Sequence, residues 1–152
     1  AKPSFFYQNN TMNFLSNLSS SRLGILSELT LRIIFALLIF SHGEGKLSAL
    51  IAEPETPLRV IQNLAFFGEM PLFSSWLAAI LETIIIPILI LAGGATFLGE
   101  KAKTLSTLGG LLATALMLNI ILNFHIGVLE ETWTEFKYQL SLLAISVYFL
   151  FK

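Results

Sequence analysis

Cysteine is absent from this 152-residue chain, and charge is scarce. Without a thiol there is no disulfide framework, no thiolate-held metal cluster and no cysteine nucleophile. Charged residues make up 12% of the chain, where a soluble domain carries about 25%. Nine Lys and Arg stand against ten Asp and Glu, for a formal net charge of −1 with no basic block, so nothing favours nucleic acid as a partner. Histidine occurs only twice, at His42 and His125. Two His and a Glu are a conceivable ligand set, but no HxxxH or HExxH spacing supports one, and no metal is expected. The opening residues show no charged region, apolar core and cleavage site in succession, so a secretory signal peptide is not expected either.

What the chain has instead is hydrophobicity: 55% of its residues are apolar and its mean hydropathy is +0.76. The expected class is an all-α integral membrane protein, a four-helix bundle with a short interfacial helix in its first outer loop. Residues 1–27, rich in Ser and Asn with scattered aromatics, are too polar to span and read as an extension along the membrane surface or a partner. Residues 28–152 form the membrane domain, with spans over about 28–50, 72–98, 104–129 and 134–151. Between the first two spans, Pro54 and Pro57 stop helical continuation, and Leu58, Ile61, Leu64, Ala65 and Phe67 suit a short amphipathic helix. Pro87 removes a backbone donor and should kink the second span near mid-membrane. Gly109 with Ala113 and Gly110 with Thr114 are small-residue pairs that permit close helix packing. The fourth span is short, and its first turns are placed in the interface.

Four spans put both termini on one face. Six basic residues (Lys2, Arg22, Arg32, Lys101, Lys103, Lys152) fall on that face and three (Lys46, Arg59, Lys137) on the other, which makes the termini cytoplasmic.

Threading the spans alternately brings polar residues from every helix to one level. The first span enters with Arg32 and leaves through His42, Glu44 and Lys46; His42 stands roughly 15 Å beyond Arg32. Glu82 of the second span, Asn119, Asn123 and His125 of the third, and Lys137 and Gln139 of the fourth fall in the same half. An ionisable group inside hydrocarbon costs about 2.5–3.5 kcal/mol on insertion scales, which makes it a functional candidate. The alternative is that these groups end their helices and meet headgroups; Gly43 and Gly45 are compatible with a helix terminus. The inner set is His42, Lys46, Glu82, Asn119, Asn123 and His125, with Glu44 pointing elsewhere. Such a set can relay protons, hydrogen-bond the carbonyls of a quinone whose tail lies in lipid, or, for Glu82, serve as a structural ion pair with Lys46.

The stretch LRIIFALLIFSHGEGKL resembles the first helix of the DoxX family, with Arg32, His42, Gly43, Lys46 and Leu47 at its motif positions. FFGEMP and the following WLAAILETIIIPILILAGG are similar to that family's turn and second helix through Gly68, Pro71, Glu82 and the Gly93/Gly94 pair, and LLATALMLNIILNFHIG to its third helix ending in His125. The resemblance covers roughly residues 29–151. It implies a four-helix protein of a bacterial inner membrane in a redox neighbourhood, where some relatives are subunits of thiosulfate:quinone oxidoreductases. Two functions follow as expectations. The first is a subunit supporting quinone-linked electron transfer, with quinone as the cofactor of the six-residue set. The second is a non-catalytic accessory subunit of a larger membrane complex. Partners in either case are the lipid bilayer and other membrane subunits. With no cysteine, sulfur chemistry within this chain is not expected.

Overall fold

The computed structural model describes residues 22–62, 67–125 and 133–152. Among them every regular element is helical. Helix α1 runs over Arg22–Ala52, α2 over Arg59–Gln62, α3 over Pro71–Ala92, α4 over Glu100–Ile120 and α5 over Trp133–Phe151. Three of these, α1, α3 and α4 with its extension to Asn123, are long and apolar enough to cross a membrane, and they mark the chain as a membrane protein. Their apolar windows are only 22–39% buried. The remaining surface is rich in exposed Leu, Ile and Phe, such as Leu37, Phe73, Ile88 and Leu122. Water would penalise such a surface, whereas hydrocarbon accepts it.

One core joins the four long helices. Phe35 and Ile39 of α1, Ile86 and Ile90 of α3, Ala113 and Met117 of α4, and Leu142 and Phe149 of α5 are all fully buried together. Close approach depends on small residues. A side chain at Gly110 would run into the backbone of Phe149 and Leu150, so α4 and α5 meet there with no room for even a methyl group.

Several boundaries differ from expectation. Helix α1 begins at Arg22 rather than near 28, because no breaker separates Leu23–Ser27 from the span. It also passes through Gly43 and Gly45 to Ala52, so these glycines end nothing. The second span stops at Ala92, where Gly93 and Gly94 turn the chain into a 3-10 turn over Thr96–Leu98. Ahead of Pro87, α3 contains a π-helical turn over Leu81–Ile85, in which the Ile86 N–H reaches back five residues to the Leu81 carbonyl. Proline offers no N–H of its own, and this wider turn re-registers the helix before it. Helix α4 ends in a second π-helical turn, Ile121–His125, and the rest of the expected third span lies outside the described residues. Of the expected amphipathic helix, Arg59–Gln62 is helical, and 63–66 lie outside the described residues, as does the extension over 1–21.

Candidate functional site

The π-helical turn of α3 is where the site begins. Inserting one residue into the helical repeat turns two neighbours, Glu82 and Thr83, toward the same interior. Thr83 satisfies its hydroxyl on the Ala79 carbonyl at 2.7 Å. Glu82 instead faces α1 and is 0% exposed. It can approach because α1 carries glycine at that level: a Cβ on Gly43 would lie 2.5 Å from Glu82 Cβ.

Lys46, one turn after His42 on α1, donates to both Glu82 oxygens at 2.6 Å each. His42 Nδ1 lies 3.2 Å from Glu82 Oε2. From α5, Gln139 places its amide Nε2 2.9 Å from His42 Nε2. Its Oε1 is buried without a partner. Tyr138 stacks on the His42 ring at 6.3 Å between centroids and donates to the Leu38 carbonyl at 3.1 Å, which ties α5 to α1 beside the imidazole. A buried carboxylate of α3 thus meets a cation and an imidazole from α1, and the imidazole in turn meets an amide from α5. Removing one partner from such a buried pair costs about 3–5 kcal/mol, because the remaining charge is stranded.

A cavity of about 310 Å³ adjoins this group. Lys46, Glu82 and Asn119 sit on its wall, and most of the remainder is aliphatic, including Ile61, Leu77, Leu81, Leu112 and Leu116. One side is closed by the chain around α2. That segment is held down because Ser75 Oγ accepts the Leu58 N–H at 3.0 Å and donates to the Pro71 carbonyl at 2.6 Å. The Trp76 indole adds a bond to the Pro54 carbonyl at 3.2 Å.

Of the six residues singled out from sequence, the structure brings His42, Lys46 and Glu82 into one hydrogen-bonded group and puts Asn119 on the cavity wall. Asn123 is a correction. It is exposed and bonds back to Asn119, through the backbone carbonyl at 2.8 Å and Oδ1 at 3.3 Å, so it does not join the group. The His125 side chain lies outside the described residues. Gln139 and Tyr138 were missing from the set, although Gln139 stood at the expected depth; its partner on His42 is a matter of helix rotation, which depth does not report. Among the described residues no cluster of three His, Cys, Asp or Glu is arranged to hold a metal.

A second polar group occupies the other end of the core. Arg32, 2% exposed, donates from Nη1 to the Ile90 carbonyl at 2.8 Å and to Ser106 Oγ at 3.1 Å. Its Nε and Nη2 reach Glu28 Oε1 at 3.1 and 2.8 Å, and the guanidinium lies over the Phe149 ring. Lys152 pairs with Glu28 and donates to the Tyr148 hydroxyl at 3.0 Å. Partial burial alone would push the Lys152 ammonium down; the bonds to Glu28 and Tyr148 outweigh it and hold it above the ordinary lysine value.

Fold and site together define an all-helical membrane protein with a buried carboxylate–ammonium–imidazole group beside an apolar cavity. Comparison with known families, curated proteins and solved structures returns no match for this chain.

Proposed function

We propose that the chain is a four-helix subunit of the DoxX type that supports quinone-linked electron transfer in a bacterial inner-membrane redox assembly. In this reading α5 is the fourth span. Its 19 residues extend about 28 Å, short for a span, and let its start sit in the interface. Both termini are cytoplasmic, and the Glu82 group lies in the outer half.

The observation that carries the proposal is the cavity: largely aliphatic, near the lower end of the volumes small-molecule sites have, with Lys46, Arg59, Ser74, Glu82 and Asn119 as its polar lining. That combination suits a flat ring with hydrogen-bonding oxygens and an apolar tail. Support also comes from the motif positions Arg32, His42, Gly43, Lys46 and Glu82. A bound quinone supplies two-electron redox chemistry; the chain supplies the shape, a charged donor and a buried carboxylate–imidazole pair beside it. His42, Lys46, Glu82 and Asn119 remain the residues assigned to this role.

Purification from native membranes in mild detergent, with quinone extraction and mass spectrometry of companion proteins, tests the proposal. Stoichiometric quinone with a small redox assembly supports it. Recovery within a large complex without quinone attributable to this chain refutes it in favour of an accessory subunit.

A further inference from the structure

The cavity beside Glu82 carries more positive than negative charge. Among the described residues that line it, the charged ones are Lys46, Arg59 and Glu82, two cations against one carboxylate. Lys46 and Glu82 answer each other: the ammonium donates to both carboxylate oxygens at 2.6 Å, and it meets His42 Nδ1 at 3.2 Å. That pair is neutral as a unit, so a charged ligand gains or loses little from it. The excess charge belongs to Arg59.

Arg59 is set at the cavity by the backbone around it. It opens α2 directly after Leu58, whose N–H is fixed on the fully buried Ser75 Oγ at 3.0 Å. Ile61, two residues on, is buried and lines the same cavity. At the far end of α2 the chain returns closely, since a Cβ on Gly68 would lie 2.8 Å from the Gln62 carbonyl oxygen. Arg59 itself is exposed, so it stands where the cavity meets its surroundings. A guanidinium presents five N–H groups in a planar fork that fits the oxygens of a carboxylate, phosphate or sulfate in pairs. It can therefore take an anionic head in addition to the interaction Arg59 has within the chain.

The rest of the cavity suits a chain rather than a second polar group. Leu77 and Leu81 stand one turn apart on α3, and Leu112 and Leu116 one turn apart on α4, so each pair lines about 6 Å of wall. Leu77 and Ala115 line the cavity and are also exposed, which opens it sideways on the apolar surface that lipid covers. We propose that this cavity binds an amphiphile with an anionic oxygen head, the head paired with Arg59 and its alkyl chain lying between α3 and α4. A fatty acid and an anionic phospholipid share that chemistry. The inference shares its cavity with the quinone reading but needs no redox chemistry.

The test uses the full chain in nanodiscs of zwitterionic lipid, with empty nanodiscs as the control for partitioning. Three probes share one ten-carbon chain: an alkyl sulfate, the alcohol and the trimethylammonium. A charge-assisted pair at a partly exposed site implies that the sulfate binds severalfold to about tenfold more tightly than the alcohol, with the trimethylammonium weakest. Added salt should erode the sulfate's advantage and leave the alcohol unchanged. Arg59→Gln should bring the sulfate down to the alcohol, and Arg59→Lys should keep part of the difference. Equal affinity for sulfate and alcohol, or a preference that survives Arg59→Gln, overturns the proposal. If Arg59→Gln does not fold, the order of the three probes and its salt dependence decide. A short-tailed alkyl quinone in the same nanodiscs separates the two readings. Quinone binding without the sulfate preference overturns this inference alone, the sulfate preference without quinone binding overturns the quinone reading alone, and binding of no probe overturns both. Lipid extracted with the protein from native membranes gives the source: enrichment of free fatty acid or of anionic phospholipid supports the proposal, and enrichment of neither overturns it.

Discussion

Gly43 and Gly45 lie two residues apart on α1 and should respond oppositely to the same substitution. An alanine Cβ at Gly43 would stand 2.5 Å from Glu82 Cβ and 2.9 Å from Thr83 Cγ2. Carbon atoms in contact prefer about 3.5–4.0 Å, so the shortfall is roughly 1 Å, against the body of a neighbouring helix rather than a flexible side-chain tip. Overpacking of that kind costs about 1–3 kcal/mol. At Gly45 nothing lies within 4 Å of the added Cβ. Both variants gain the better helix propensity of alanine, about 0.8–1 kcal/mol, so the difference between them isolates the packing cost. Gly45→Ala should match or exceed the wild type, and Gly43→Ala should fall about 1–3 kcal/mol below Gly45→Ala. At about 2–4 °C per kcal/mol for a chain of this size, the two melting temperatures should differ by roughly 2–12 °C. Tryptophan fluorescence or circular dichroism during heating in one detergent measures both. Equal melting temperatures would mean that α1 and α3 do not approach as closely as described, and the seat of Glu82 would fall with that contact.

Three further outcomes follow from the same packing and pairing. Gly110→Ala should destabilise by about 1–3 kcal/mol or more, since the added methyl meets the α5 backbone at Phe149 and Leu150, which cannot turn aside; a denaturation midpoint in detergent checks it. Lys46→Met should cost about 3–5 kcal/mol by stranding Glu82, and the double variant Lys46→Met/Glu82→Leu should recover much of it, as a double-mutant cycle would read. The Lys152 ammonium is held above its ordinary value of 10.5, so its contribution is fully present below that pH and is lost as pH rises through the folded value. Wild type and Lys152→Met should therefore differ by a constant amount below about pH 10 and converge above it in melts taken across alkaline pH.

How far the sequence carried depended on the kind of information asked of it. Apolar length is additive along the chain, so three long apolar helices and the common level of His42, Lys46 and Glu82 were legible from position alone. Rotation about a helix axis is not. The two π-helical turns at Leu81–Ile85 and Ile121–His125 each shift the face by an extra residue. The first brings Glu82 inward beside Thr83, and the second carries Asn123, which is exposed and bonded to Asn119 rather than to the Glu82 group. Gly43 and Gly45 read as a terminus by propensity, yet tertiary contact with Glu82 explains the first and nothing nearby constrains the second. The Gln139–His42 bond joins residues 97 apart, and Lys152–Glu28 links the two ends of the described chain; no local pattern marks such pairs. The cavity, built from α2, α3 and α4 together, has no sequence signal short of the fold itself.

The two polar groups bear on each other through what separates them. Arg32 and His42 are ten residues apart on α1, about 15 Å along its axis, and between those levels stand Phe35 and Ile39, packed against Ile86, Ile90, Met117 and Leu142. These side chains are fully buried and carry no polar atoms. Arg32 cannot bridge this layer, since its guanidinium is held at Ile90 O, Ser106 and Glu28 on its own side. The two groups are therefore separate, with an apolar layer of these facing side chains between the Glu82 pairing and the Arg32 pairing. Arg32, bonded to Glu28 on its own helix, the Ile90 carbonyl and Ser106, and lying over the Phe149 ring, therefore acts as a structural clamp that ties the four helices together at the end of the core away from Glu82.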